Sequence, residues 1–195
     1  MTPEDSSTSS RPMTVYVLKV TLLDVVPQVW RLVRVPSAVT LAGLHRVLQE
    51  AIGWEDRHLH EWTLDERTYG AADEEDWGEE ILDEQEAVLG DLAGPDAAFR
   101  YTYDLGDLWE HLVEVVSVEP YEATVPPVEV IDGARSAPIE DCGGPAGYEH
   151  LLDALADPDD EDHEELVERY GDWWDPVRFD RAAVNRRLEA LWRVS

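Results

Sequence analysis

Two segments rich in β-branched residues, 15–25 and 29–35, are separated only by a Val-Pro-Gln connection. This spacing predicts an antiparallel pair of strands. The next segment has apolar residues at helical spacing, namely Leu41, Leu44, Leu48 and Ile52. Thr40 stands where a helix cap is expected and Gly53 where a helix ends. The chain must therefore place an amphipathic helix on a sheet.

Later segments repeat both patterns. Strand character recurs in residues 58–70, 98–107, 108–119 and 128–133. Residues 137–157 indicate a loop followed by a helix with Pro145 in its first turn, and residues 163–170 and 181–192 indicate two more helices. Gly106 lies between two of these strands, where we expect it to supply the turn of a hairpin. The order of strands, helix, strands and helices predicts an α+β fold. We expect an antiparallel β-sheet of about five or six strands with helices packed on it.

The chain is strongly acidic, with a formal net charge of −29 over 195 residues. Affinity for nucleic acid comes largely from neutralised phosphates, so this balance argues against a nucleic-acid partner. One acidic insert spans residues 71–86 and carries nine acids between Asp73 and Glu86. Because so many carboxylates cannot be buried without partners, we expect this insert to be exposed and mobile.

The domain organisation follows from composition. Residues 1–12 are polar and are expected to form a disordered tail, and residues 13–195 are expected to form a single domain. The N-terminus has no signal-peptide pattern and the apolar runs are short, which predicts a cytoplasmic protein without a membrane partner. Cys142 is the only cysteine, which excludes an intrachain disulfide.

Three motif segments, residues 53–64, 101–115 and 137–152, read GWEDRHLHEWTL, YTYDLGDLWEHLVEV and APIEDCGGPAGYEHLL. In combination they resemble the plasmid pRiA4b ORF-three-like family. The resemblance implies a compact α+β domain of bacteria and archaea, sometimes encoded on plasmids or beside insertion elements, and it implies no known reaction. Leu105 and Leu108 depart from the family pattern at the hairpin turn, and the acidic insert is longer than the pattern needs.

These motif segments define a candidate cleft that the hairpin would border. Its members are polar groups, one aromatic residue and two glycines: His58, His60, Asp104, Asp107, Trp109, His111, Glu140, Asp141, Cys142, Gly143 and Gly144. Strand alternation turns Trp109 and His111 toward the sheet face that carries His60 and Trp62.

The cleft has two interpretations. In the first, imidazole and carboxylate groups bind a divalent metal ion, with His60, Asp107, His111 and Asp141 as its ligands. In the second, His111 and Asp107 join a structural hydrogen-bond network while Trp62 and Trp109 fill the core. The second is the more frequent role of a histidine on an apolar strand face. No other cofactor is indicated.

The Cys142 loop also has two interpretations. Gly143 and Gly144 could form a nest of backbone N–H groups for an anion, which would lower the pKa of the Cys142 thiol. Alternatively, the glycines allow a tight chain reversal and cap the following helix. Glu140 and Asp141 favour the second, since their negative charge opposes both a thiolate and a bound anion.

Two functions follow as hypotheses. The first is a binding or interaction module without enzymatic activity, which takes a protein or a small ligand and is associated with mobile elements through the family resemblance. The second is a metal-dependent hydrolase with a His/Asp site.

Overall fold

The computed structural model describes residues 13–71 and 81–194. Eight strands lie in these ranges: β1 (Thr14–Leu22), β2 (Trp30–Pro36), β3 (His60–Leu64), β4 (Arg67–Gly70), β5 (Ile81–Asp83), β6 (Ala98–Tyr103), β7 (Trp109–Pro120) and β8 (Glu129–Ala134). Five helices accompany them: α1 (Leu41–Ile52), α2 (Leu89–Leu92), α3 (Gly144–Ala156), α4 (His163–Tyr170) and α5 (Arg181–Val194). The strands form one sheet in the order β5-β4-β3-β6-β7-β1-β2-β8.

The α+β class is as predicted, but the prediction of an antiparallel sheet of five or six strands is wrong. The described residues contain eight strands, and β5 pairs with β4 in parallel, so the sheet is mixed. One additional strand arises because residues 58–70 do not form a single strand. Asp65 and Glu66 have φ values of 46° and 65°, which turns the chain back as a two-residue hairpin between β3 and β4.

The other additional strand is β5, which lies inside the acidic insert. Residues 72–80 of that insert, like the expected disordered tail at 1–12, lie outside the described residues. At the described end of the insert, the expectation of exposure fails for Glu84, which is only 6% exposed. The reason is local, since its carboxylate has two hydrogen-bond donors, described below.

Helix α1 begins and ends where the sequence predicts. The side chain of Thr40 accepts a hydrogen bond from the backbone N–H of Gly43, and Gly53 ends the helix in the left-handed region at φ 106°. The buried face of α1 carries Leu41, Leu44, Val47 and Leu48, all fully buried. Across the described ranges no helix combines the length and apolarity needed to cross a membrane.

The C-terminal helix α5 lies beside α1 and next to the edge strand β8. It packs against α1 and β8 through Val184 and Leu188, which are both buried. The side chain of Asn185 fixes α5 on β8. Its Oδ1 accepts a hydrogen bond from the backbone N–H of Val130, and its Nδ2 donates one to the Val130 carbonyl oxygen. A space remains between α5, the end of α1 and the loops that follow β8.

Candidate functional site

The central strands carry two aromatic rows on one face of the sheet. The register pairs His60 with Tyr103 and Tyr103 with Trp109, and one step along it pairs Trp62 with Tyr101 and Tyr101 with His111. The predicted shared face of His60, Trp62, Trp109 and His111 is therefore confirmed. Strand β6 lies between the two histidines, however, so the backbones of β3 and β7 are about 10 Å apart.

Glu84 anchors the His60 end of these rows. Its Oε2 lies 2.8 Å from His60 Nε2 and accepts a hydrogen bond from Trp62 Nε1 at 3.1 Å. Burial alone would raise the pKa of Glu84, but the hydrogen bonds from His60 and Trp62 outweigh burial and lower it. Glu84 is thus a buried carboxylate that stays charged, and it fixes the ring of His60.

His45 of α1 completes this inner network. Its ring stacks on that of His60 with centroids 3.5 Å apart and planes 2° apart. Its Nδ1 lies 2.7 Å from the Tyr101 hydroxyl, and its Nε2 lies 2.8 Å from Asp56 Oδ1. Burial and the neighbouring His60 lower the pKa of His45. The inner network therefore joins helix α1 to the sheet through hydrogen bonds and ring stacking.

Sequence reasoning missed His45, Gln49 and Glu84. His45 and Gln49 are four residues apart in α1, and Gln49 donates to the same Tyr101 hydroxyl at 3.0 Å. Two polar residues at this spacing on an otherwise apolar face are a signal that could have found them. Glu84 gave no such signal, because it is one of nine acids in the insert.

His111 lies in the core, with 1% of its surface exposed. Its Nδ1 lies 3.1 Å from the Tyr101 carbonyl oxygen, and no hydrogen-bond partner for its Nε2 exists within the described chain. Burial lowers the pKa of His111 to about 4. This ring is a neutral core residue at physiological pH, in contact with the edge of Trp54.

The hairpin turn between β6 and β7 forms a second cluster with residue 58. His58 Nε2 lies 3.1 Å from Asp141 Oδ1 and 3.6 Å from Asp104 Oδ2. The other oxygen of Asp104 accepts from the backbone N–H groups of Gly106 and Asp107 at 2.9 and 3.2 Å. The turn differs from expectation, because Asp104 and Leu108 have positive φ, at 57° and 55°, and Gly106 does not.

The Cys142 loop docks on this turn. Asp107 Oδ2 accepts from the backbone N–H of Gly143 at 3.2 Å, and Gly144 approaches so closely that a Cβ there would lie 2.7 Å from the Asp107 carbonyl oxygen. Burial, followed by the charges of Asp107 and Asp141, raises the pKa of Cys142 to about 12. This direction is opposite to that of an anion nest, and the glycines serve close chain packing.

Glu140 links the same loop to the aromatic rows. The Tyr103 hydroxyl donates to Glu140 Oε1 at 2.6 Å and accepts from the backbone N–H of Arg57 at 2.9 Å. Burial and then the carboxylate of Glu140 raise the pKa of Tyr103. Trp54 stacks on the Tyr103 ring at 4.8 Å. The three motif segments therefore meet here, at residues 54–58, 103–107 and 140–144.

Beside this meeting point lies a cavity of about 630 Å³, here named the Arg31 cavity. Its lining includes four aromatic residues, Trp54, Trp173, Trp174 and Phe179, and four arginines, Arg31, Arg57, Arg178 and Arg187. It also includes five carboxylate residues, Glu55, Glu140, Asp172, Asp175 and Asp180. The cavity is an open pocket bordered by the end of α1 and the residues that follow it, by the first turns of α5, and by the loops at residues 136–140 and 171–180. This volume is in the range that holds small-molecule ligands.

The four residues of the predicted metal set have different partners. His60 is bonded to Glu84 and His111 to Tyr101, whereas Asp107 accepts from Gly143 and Asp141 faces His58. Within residues 13–71 and 81–194, the groups of three whose ligand atoms lie within 4.8 Å of one another are different ones: His45, Asp56 and His60, and His58, Asp104 and Asp141.

Comparisons with known proteins agree with the motif segments. An uncharacterised protein, y4hQ of Sinorhizobium fredii strain NGR234, is 39% identical over 170 residues, which cover 86% of this chain and 84% of that protein. The crystal structure of MM3350, a protein of unknown function from Methanosarcina mazei Go1, superimposes with a TM-score of 0.81 at 33% identity and covers 88% of this chain and 98% of its own. Residues 14–183 match the family pattern described as plasmid pRiA4b ORF-3-like, and the chain belongs to that family.

Proposed function

We propose that this protein is a binding module that holds a small anionic ligand with an apolar body in the Arg31 cavity. The observation that carries the proposal is the state of Arg31. Its side chain lines the cavity but is otherwise buried, with 2% of the residue exposed, and it has no carboxylate within salt-bridge distance in the described part of the chain. A buried charge of this kind is costly unless a counter-charge balances it.

The hydrogen bonds of Arg31 leave one side of its guanidinium group available. Nε donates to the carbonyl oxygen of Ala51, and Nη1 donates to those of Trp30 and Ala134. Nη2 has no such bond to any described residue. Burial lowers the pKa of Arg31 to about 10, which leaves the group protonated at neutral pH. A ligand carboxylate or phosphate would supply the missing counter-charge.

The other arginines of the cavity already have acidic partners. Arg187 lies 2.9 Å from Glu50, Arg178 lies 3.6 Å from Asp180, and Arg57 pairs with Glu55. Arg31 therefore differs from them in having carbonyl oxygens alone as partners. Phe179 covers one face of its guanidinium group at 4.2 Å.

The aromatic lining favours a ligand with a flat or apolar body. Trp54 is fixed by a hydrogen bond from its Nε1 to the Pro138 carbonyl oxygen, and Trp174 by one to the Ala137 carbonyl oxygen, both at 3.0 Å. Rings held in this way form a wall that requires little reorganisation on binding. The expected ligand combines this apolar body with one anionic group.

The test uses benzoate and phenyl phosphate as probes, with benzyl alcohol as a neutral control. We expect the anionic probes to raise the melting temperature and quench tryptophan fluorescence saturably, and benzyl alcohol to do neither. Ala183→Phe should abolish the effect by filling the cavity from α5, and Ala182→Phe, on the neighbouring exposed position outside the lining, should not. Equal binding by both variants, or no saturable binding of either anion, would contradict the proposal.

A hydrolase built on His60, Asp107, His111 and Asp141 is not favoured, because these four groups do not converge on one point in the described chain. His60, Asp107 and His111 each have a hydrogen-bond partner outside the set, and Asp141 faces His58. The association with mobile elements stays a prediction from the family resemblance.

A further inference from the structure

We infer that His58, Asp104 and Asp141 form a binding site for one divalent first-row metal ion, such as Mn²⁺. The three side chains come from different motif segments and meet at the β6–β7 turn. One imidazole nitrogen and two carboxylate oxygens are a donor set that suits Mn²⁺, Fe²⁺ or Zn²⁺. This site is separate from the Arg31 cavity ligand and does not depend on it.

The spacing of the donor atoms fits an ion. His58 Nε2 lies 3.1 Å from Asp141 Oδ1 and 3.6 Å from Asp104 Oδ2. Three ligands at about 2.1 Å from an ion and at right angles to one another lie about 3.0 Å apart. Small rotations of the side chains would therefore bring all three within bonding distance of one ion.

His58 Nε2 is the observation that points to a ligand. This atom is itself buried, on a side chain that is 27% exposed, and it makes no hydrogen bond to any described residue although an Asp141 oxygen lies at 3.1 Å. The carboxylate thus lies off the line along which a ring N–H would donate. Buried nitrogens of this kind normally have a partner, and a metal ion would be one.

Asp104 is held in place for the same role. Its Oδ1 is occupied by the backbone N–H groups of Gly106 and Asp107, so that Oδ2 remains to face His58. Such outer hydrogen bonds orient metal-binding carboxylates. An unprotonated imidazole with two carboxylates carries a charge of −2, which a divalent ion neutralises.

The other group of three, His45, Asp56 and His60, is a poor alternative. Its two rings are parallel within 2° and 3.5 Å apart, so their nitrogen lone pairs cannot converge on one ion. Both Nε2 atoms are also already bonded to carboxylates, of Asp56 and Glu84. This group therefore offers a matched control with the same residue types.

The experiment titrates Mn²⁺ into the full chain after removal of metals with EDTA, with free Mn²⁺ measured by electron paramagnetic resonance. We expect one tightly bound Mn²⁺ per chain. His58→Gln and Asp141→Asn should each weaken binding by at least about ten-fold. Asp56→Asn should bind like the parent.

Asp104→Asn supplies a further check, because asparagine keeps the oxygen that accepts from Gly106 and tolerates the positive φ of 57°. It should retain the circular dichroism spectrum of the parent and lose affinity for Mn²⁺. The inference is overturned by a parent that binds no stoichiometric Mn²⁺, by His58→Gln and Asp141→Asn variants that bind like the parent, or by loss of binding in Asp56→Asn. If His58→Gln and Asp141→Asn bind Mn²⁺ like the parent, the binding belongs to the acidic surface in general.

Discussion

Replacement of His111 by leucine should remove a large part of the pH dependence of stability. His111 is neutral in the folded protein because burial lowers its pKa from 6.5 to about 4. In the unfolded chain its pKa returns to the ordinary value, so the unfolded state binds a proton first as the pH falls. The stabilising effect of the low folded pKa is therefore complete above pH 6.5 and is lost as the pH falls toward 4.

The magnitude follows from these two pKa values. Their difference of about 2.5 corresponds to ~3.4 kcal/mol in the free energy of unfolding, at about 1.4 kcal/mol for each pH unit. Between pH 8 and pH 5 the linkage relation gives a loss of about 2 kcal/mol from this residue alone. Leucine has nearly the same volume and does not titrate, so His111→Leu should lack this loss.

Urea unfolding followed by tryptophan fluorescence at pH 8 and pH 5 measures the effect, and both values lie above the isoelectric point of about 4.2. The parent should lose about 2 kcal/mol more than His111→Leu between the two conditions. Titration of other groups, including His45, is common to both proteins and cancels in the difference.

Val115→Ala, at a buried position of the same strand that does not titrate, is the control and should keep the pH dependence of the parent. If His111→Leu does not fold, His111→Gln replaces it as a variant that does not titrate. Equal pH dependence in the parent and in the His111 variant would refute the assignment of His111 as a buried neutral histidine.

Four further predictions follow from the packing and the charge. Glu84→Ala should lower the free energy of unfolding by about 3 kcal/mol, because it leaves buried donors unsatisfied, and Glu86→Ala, at an exposed position of the same segment, should change it little. Gly144→Ala should cost about 1–3 kcal/mol, since its φ is 68° and a Cβ would meet the Asp107 carbonyl, and Gly94→Ala, in open space, should be near neutral in the same unfolding assay. Iodoacetamide at pH 8 should modify Cys142 at least about 100-fold more slowly in the folded protein than in urea, because the pKa of the thiol is raised to about 12, and equal rates would contradict that value. Finally, gel-shift titration with random duplex DNA at physiological salt should give no complex, owing to the net charge of −29, and a salt-dependent submicromolar shift would contradict this.

Elements whose signals are local can be predicted from the amino-acid sequence. Helix α1 is bounded by Thr40 and Gly53 as its apolar spacing and caps predict, and the β6–β7 hairpin places Trp109 and His111 on the face that carries His60. These features depend on neighbours a few residues away along the chain, so periodicity and capping rules are sufficient to find them. The resemblance to the family was likewise found from three short motif segments of the sequence.

The grouping of the polar residues into separate clusters depends on strand pairing and packing. Strand pairing inserts Tyr101 and Tyr103 between the two histidines of β3 and β7, and it brings His45 of α1 onto His60. Glu84 becomes the buried partner of His60 because β5 adds in parallel at the far edge of the sheet. Charge runs and apolar periods carry no information on such pairings, since these contacts join residues that are 15–43 positions apart in sequence. Long-range contacts of this kind depend on the packing of the whole sheet. Glu84 of the acidic insert becomes part of the core because that packing supplies its hydrogen-bond donors.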